Sequence, residues 1–311
     1  MNLLLDNIRP TFGGHEKFVF RQAWLKKGID LNSQDELVFT RDEALVKLGV
    51  GKNMVRSIRH WCLTIGLLEQ AGKVGMAHAL KPTYLASSLL RDNGWDPYLE
   101  DIGTLWLLHW QLVSNQERAL VWYLTFSLYL ESEFNKKRLA AFIIKQFDLL
   151  GVRTTTGTVE REVDCCLRTY IPARSIKGVV SEDSLDCPLG ELDLMRYFPE
   201  SGSYHFNVGP KITLPSAIFS FALMNFLPRL TQNRRTVAVE ECVYQPGSPG
   251  QVFKLDENSV IEYLEGLEIA SQGTIRIQET AGLRQIYLTD AQDLNWQAEA
   301  LKMLEQYYER K

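Results

Sequence analysis

Between Leu48 and Ile65 the apolar and basic positions separate with the period of an α-helix. At about 100° per residue, Met54, Ile58, Trp61, Cys62 and Ile65 gather on one face, while Lys52, Arg56, Arg59 and His60 fall on the other. Upstream, Thr40 stands where an N-cap would start a short helix over Arg41 to Leu48. Glu43 is three residues on as its capping-box partner, and Gly49 stops it. Two helices joined by a glycine turn make the outline of a helix-turn-helix. Downstream, Lys73 to Lys81 reads as a short polar ribbon ending at Pro82, where a winged helix carries its wing.

Further along, Asn93-Gly94-Trp95-Asp96-Pro97 breaks the pattern. The stretch from Ile102 to Leu150 is helical in period and rich in Leu and Trp, so Trp106, Trp110 and Trp122 are expected in the core. Asn135 is placed to cap a helix over Lys136 to Leu149 that Gly151 ends, and Thr158 to start another over Val159 to Tyr170. On that second helix Val159, Val163, Cys166, Leu167 and Tyr170 share one face, while Glu160, Asp164 and Arg168 step along the opposite one. Ser181 to Asp193 carries five acidic residues and no basic one. A strand at Tyr204 to Asn207 and a helix from Pro215 to Phe226 follow. The helix-turn-helix outline then returns: Thr236 to Val243, a Ser248-Pro249-Gly250 turn, a helix from Asp256 to Leu267 and two short strands round Gly282. A terminal helix over Ala291 to Glu309, capped by Asp290, closes the chain. The expected fold is mainly α with short β-wings, an α+β class, with several winged-helix-like modules around a helical middle region. Residues 1–95 form a winged helix-turn-helix domain with an amino-terminal arm, 96–230 a helical middle domain with an acidic loop, and 231–311 a carboxyl-terminal winged-helix-like domain.

Composition narrows the partners. The 311 residues are 45% hydrophobic and 23% charged, which suits packed cores rather than disorder. A net charge of −4 gives no general attraction to polyanions, so DNA binding must come from local patches. The expected DNA-binding residues are Lys52, Asn53, Arg56, Arg59 and His60 on the helix and Lys73, His78 and Lys81 on the wing. The same outline also serves modules that only hold other proteins, and a basic helix face can be merely solvated. No apolar run reaches the roughly 18 residues of a membrane span, and no signal-peptide pattern opens the chain, so a cytoplasmic protein without a membrane partner is expected. The five cysteines are odd in number, without a Cys-x-x-Cys pair, and read as small buried apolar residues. A homodimer fits the habit of helix-turn-helix proteins, although no heptad marks an interface.

The segment Phe12-Gly13-Gly14-His15-Glu16-Lys17-Phe18-Val19-Phe20-Arg21 places two glycines and four ionisable residues just before a helix. Gly13 and Gly14 would let backbone amides approach an anion, with His15, Lys17 and Arg21 completing a phosphate cradle. His15, beside Glu16 and Lys17, is an acid-base candidate because histidine titrates near neutral pH. A packed arm using the same residues in salt bridges fits equally.

Gly14-His15-Glu16-Lys17-Phe18 with Trp24-Leu25-Lys26-Lys27-Gly28, Leu48-Gly49-Val50-Gly51-Lys52-Asn53-Met54-Val55, Asp186-Cys187-Pro188-Leu189, and Ser248-Pro249-Gly250 with Phe253 occur in one order along nearly the whole chain. In these landmarks the sequence resembles domain-of-unknown-function family 4007. The resemblance implies a component of a bacterial DNA phosphorothioation and anti-phage defence system, one that nicks a single DNA strand with a divalent metal such as Mg²⁺. It implies as partners DNA, a cysteine desulfurase, an ATPase and a phosphoadenosine-phosphosulfate-reductase-like protein. It assigns no catalytic residue.

Phosphodiester cleavage with Mg²⁺ needs oxygen ligands, usually one or two carboxylates with water and phosphate. Two places offer them: Asp183 with Asp186 in the acidic segment, and Glu160 with Asp164 on one helix face beside Arg161 and Arg168. The second set is also an ordinary i, i+4 ladder, and acidic loops are commonly just solvated. Familiar nuclease signatures are missing, since Glu-x-Lys occurs only at Glu309 to Lys311. That favours the alternative of a non-enzymatic winged-helix adaptor that recruits the modification machinery.

Overall fold

The computed structural model describes residues 8–74, 77–171, 187–231, 234–270, 275–280, 283–288 and 295–310. Its contacts gather into two units, Met1–Thr125 with Glu131–His205, and Phe126–Leu130 with Phe206–Lys311. The first winged module and most of the middle region, set apart as separate domains by sequence pattern, fall within the first unit. The class is α+β, mainly helical with small antiparallel sheets.

The first unit opens with α1 (Gln22–Gln34), α2 (Glu43–Leu48) and α3 (Lys52–Thr64), followed by the hairpin β1 (Leu68–Val74) and β2 (Ala77–Pro82). Gly49 stops α2 as its position predicts: at φ +67° it lies in the left-handed region open to glycine, and its N–H reaches the Leu45 carbonyl at 2.9 Å. The start of that helix departs from expectation. Thr40 does not cap it, because its hydroxyl donates to the Leu37 carbonyl at 2.7 Å inside a 3₁₀ turn, and α2 begins only at Glu43. The wing is longer than the ribbon read from sequence, pairing from Leu68 opposite Pro82, with a bulge between Gln70 and Gly72.

After α4 (Tyr84–Leu90), α5 (Ile102–Ser114) and α6 (Leu120–Ser127), the outline returns in β3 (Glu133–Phe134), α7 (Lys136–Leu150), α8 (Thr156–Tyr170), β4 (Met195–Phe198) and β5 (Ser203–Phe206). Asn135 caps α7 by accepting from the Arg138 N–H at 2.9 Å, and Gly151 ends it in the left-handed region. The cap of α8 is Thr155 rather than Thr158, whose amide donates to the Thr155 hydroxyl at 3.2 Å. Trp106, Trp110 and Trp122 are buried, as is the α8 face of Val159, Val163, Cys166, Leu167 and Tyr170. The five cysteines are free and none is exposed.

The second unit holds α9 (Ser216–Phe226), β6 (Thr236–Ala238), α10 (Val239–Tyr244), α11 (Pro249–Phe253), α12 (Glu257–Ala270), β7 (Ile275–Thr280), β8 (Leu283–Leu288) and α13 (Trp296–Glu309). Its sheet order, β6-β8-β7, matches β3-β5-β4: in each, the strand before the helices pairs with the last strand of the module. Asn295 caps α13 by accepting from the Ala298 amide at 3.1 Å; the expected cap Asp290 and the start at Ala291 lie outside the described residues. Among the described residues no helix is long and apolar enough to cross a membrane.

A buried lysine sits at the end of α11. Lys254 is left-handed at φ +54°, its ammonium donates to the Phe126 carbonyl at 2.7 Å, and it lies 4.2 Å from the Phe206 ring centroid. Burial pushes its pKa down to about 7. Between that value and the usual lysine value the unfolded chain binds more protons than the folded one, so stability rises with pH across the window. The cost of the buried charge is complete below pH 7 and fades toward the ordinary lysine pKa. Unfolding of wild type and Lys254→Met in urea from pH 7 to pH 10 tests this. Wild type is expected to gain on the variant by on the order of 2 kcal/mol across that range, and a constant difference would contradict it.

Candidate nucleic-acid interface

Helix α3 divides as its pattern predicts, with one shift and one correction. Val55, Ile58, Trp61 and Cys62 are buried, Met54 is half-buried, and Lys52, Asn53 and Arg56 are exposed. On the wing, Lys73 and His78 are exposed and face each other across the hairpin, a register that sets both side chains on one face. Lys81 is exposed but paired with Glu69 at 3.2 Å, and Arg56 lies 3.4 Å from Glu16. Exposed pairs of this kind contribute under about 1 kcal/mol and yield readily to phosphate. The correction is His60. Its ring is buried beneath the arm, and burial first, then the charges of His15, Arg118 and Arg59, push its pKa down to about 3. It is neutral at physiological pH and has no free face for DNA.

The arm that sequence reading offered as a phosphate cradle is a clasp. Gly13, left-handed at φ +74°, donates its N–H to Glu162 Oε1 on α8 at 2.6 Å. Gly14 lies against His60 of α3, and a Cβ there would stand 2.3 Å from Nδ1 of that ring. His15 is 1% exposed and packs edge-on to His60 and Trp122. Its Nε2 stands 3.1 Å from Glu162 Oε1, close enough for charge attraction but not aligned as a hydrogen bond. Its carbonyl accepts from the Ser57 hydroxyl at 3.0 Å, and the Phe18 carbonyl accepts from Trp61 Nε1 at 3.0 Å. Arg168 of α8 donates to the Lys17 carbonyl at 2.6 Å. One short segment thus ties α3 to α8, at the cost of left-handed backbone at Glu16 and Lys17, roughly 1–2 kcal/mol per residue.

The electrostatics of the clasp pull two ways on His15. Burial opposes a charge there, yet Cys165 and Glu162 outweigh it and raise the pKa to about 10. Against this, the Lys17 amide donates to Nδ1 at 3.0 Å, and a doubly protonated ring would set two donors face to face. The turn at Lys17 therefore opposes the second proton that Glu162 invites. His15 is shielded from solvent and Gly14 is covered. Lys17 is exposed, and the Arg21 guanidinium lies 5.3 Å over the Trp24 ring.

Among the described residues the candidate metal ligands do not assemble. Asp164 gives one oxygen to Lys136 at 2.6 Å and the other to Arg168 at 3.0 Å, and these two cations hold its pKa below the usual range despite burial. A metal would have to displace both, while Glu160 is exposed without joining it. Asp183 and Asp186 lie outside the described residues, and Asp193, at the end of the acidic segment, pairs with Arg196. Among the described residues no three His, Cys, Asp or Glu side chains gather as a metal site. Two residues that matter here escaped sequence reading. Glu162 is three residues from Val159 and four from Cys166, so helical periodicity already set it on the buried face. Arg118 follows α5 in a turn that nothing in the sequence ties to α3.

The family described as protein of unknown function (DUF4007) matches residues 12–308. Among solved structures, an SspB crystal structure is 31% identical to this chain and a magnesium ion-bound SspB crystal structure 30%. Each aligns over 99% of this chain and 91% of its own, with a TM-score of 0.89. No curated protein matches the chain.

The contact between Gly14 and His60 generates a stability prediction. Gly14→Ala is expected to cost about 1–3 kcal/mol in urea unfolding, because the buried ring has nowhere to move. Combined with His60→Ala, the two changes should cost less than their sum. An unaffected Gly14→Ala protein would show that the arm is loosely held.

Proposed function

This chain belongs to the family described as protein of unknown function (DUF4007), and from that premise we propose that it is the DNA-binding, strand-nicking component of a DNA phosphorothioation system. The observation that carries the reading is the exposed set of Lys52, Asn53 and Arg56 at the start of α3, together with exposed Lys73 and His78 on the wing of the same module. In helix-turn-helix proteins the second helix enters the major groove by its amino-terminal residues, and lysines and arginines there meet backbone phosphates. With a net charge of −4 the attraction to DNA comes from local patches, and the partners of this reading besides DNA are the desulfurase, ATPase and sulfur-transfer proteins of such a system. Similarity to SspB along 99% of the chain supports placement in that system.

A divalent metal is part of the same proposal, supported by the magnesium ion in one similar structure. The described residues do not fit such an ion, since the one paired acidic candidate, Asp164, is already neutralised by Lys136 and Arg168. No cutting step is assigned to any side chain. That same observation favours a second reading, a non-enzymatic adaptor that binds DNA and recruits the machinery.

Two assays separate the readings. Lys52→Gln/Arg56→Gln is expected to weaken duplex binding and reduce the slope of log K against log salt by about 2, one for each phosphate no longer neutralised. Purified protein is expected to convert supercoiled plasmid to open circle with Mg²⁺ and not with EDTA. Intact DNA binding without nicking above a mock-purified control would leave the adaptor. Binding unchanged in the double variant would remove α3 from the interface.

A further inference from the structure

In the second unit, the loop over residues 207–215 inverts the usual polarity of a protein surface. Lys211 is buried, its ammonium donating to the carbonyls of Asn207 at 2.7 Å, Gly209 at 3.0 Å and Lys254 at 3.3 Å. The next residue, Ile212, is 100% exposed, and Val208 is exposed as well. The loop is held from several sides at once. The Gly209 amide donates to the Lys254 carbonyl at 3.0 Å, the Leu214 amide to the Lys211 carbonyl at 3.0 Å, and the Tyr263 hydroxyl of α12 to the Leu214 carbonyl at 2.8 Å. A single exposed apolar side chain is ordinary, but here a buried cation fixes the backbone that presents it. A tip held in this way loses little conformational freedom when it docks.

Beside the tip lies a cavity of about 430 Å³ between α9, α12 and α13, with apolar walls from Ala217, Leu267, Met303 and Tyr307. Gly266 lines it too and leaves it open, since a Cβ there would meet nothing within 4 Å. Pro215 lines the cavity three residues after Ile212, within about 11 Å along the chain, and Gly266 follows Tyr263 by about one turn of α12. Knob and cavity are therefore neighbours, yet Ile212 is fully exposed and does not fill the space. Cavities of this size hold molecules larger than an isoleucine side chain. We propose that the occupant is Ile212 of a second copy, and that two chains exchange these tips reciprocally across a two-fold axis. A patch that carries both the knob and the cavity is self-complementary, and its contact closes as a dimer. Charge agrees with the exchange: Asp256 stands by the tip, its Oδ2 3.8 Å from where a Cβ of Gly209 would lie, and Arg310 stands at the cavity. Docking brings an acid of each copy toward an arginine of the other. The inference concerns the second unit alone and is independent of the DNA reading.

Sedimentation equilibrium of the full chain over a range of concentrations, for wild type, Ile212→Ser and Gly266→Phe, tests this. Wild type is expected to be a dimer that dissociates on dilution. Each variant is expected to raise the dissociation constant about tenfold or more, because the symmetry removes two knobs or blocks two cavities in every dimer. Ile212 is fully exposed and a Cβ at Gly266 is unopposed, so neither variant should be less stable than wild type in urea unfolding of the monomers. Mixing the two variants should recover part of the association, since the intact tip of Gly266→Phe meets the open cavity of Ile212→Ser. Weakening without recovery in the mixture overturns the reciprocal exchange. Association unchanged in both variants overturns the proposal. So does a wild type that stays monomeric at its highest soluble concentration, which leaves the tip and the cavity to a different protein or a small apolar ligand. If Gly266→Phe does not fold, Arg310→Glu takes its place: weaker association in it and in Ile212→Ser supports the exchange, and unchanged association in both overturns it.

Discussion

A carboxylate inside a protein is tolerated only where donors or cations meet it, because an unpartnered one costs far more than the apolar packing around it returns. Glu162, 3% exposed, meets that requirement through the arm: the Gly13 amide at 2.6 Å and the His15 ring at 3.1 Å. The demand runs in both directions. Glu162 needs Gly13 in a left-handed turn and His15 turned inward, and the arm in turn needs α8 to supply the acceptor. With the arm in place, Gly14 has no room for a side chain under His60, the Trp61 indole finds its acceptor in Phe18, and Glu16 and Lys17 are held in strained backbone. The glycines and charged residues of this segment thus serve to bind two helices together.

The same clasp organises the surface of α3. By covering His60 it removes a histidine from the outer face of the helix, and through Thr11 and Glu117 it helps to hold the turn that carries Arg118. The exposed cations belong to two separate pieces of chain: Lys52 and Arg56 on α3 and Lys73 on the wing. In a protein of net charge −4, any attraction to a polyanion depends on local patches and not on composition.

Within the second unit a different device appears. Lys211 and Lys254 are both buried, and the Lys211 ammonium donates to the carbonyls of Asn207, Gly209 and Lys254 at 2.7, 3.0 and 3.3 Å. Main-chain oxygens thus accept from both ammonium groups. The family landmark Ser248-Pro249-Gly250 with Phe253 is packing just before this cluster: Ser248 caps α11, and a Cβ on Gly250 would meet the Val243 carbonyl at 2.5 Å.

Local sequence determined the helices, the Gly49 and Gly151 stops, the Asn135 cap and the buried faces, because periodicity, capping and left-handed glycines act within a few residues of one another; α3, α7 and α8 were legible to within about three residues at each end. It was misleading where a side chain had a second local partner, as Thr40 did in its own 3₁₀ turn. The role of each polar residue in the arm and on α3 was decided only by tertiary structure. Whether His60 faces solvent depends on Gly14, in a different element of the chain, and whether Asp164 is free depends on Lys136. Charge and burial are set by neighbours in space, and the hydrophobic pattern that names the elements carries no information about which of them meet.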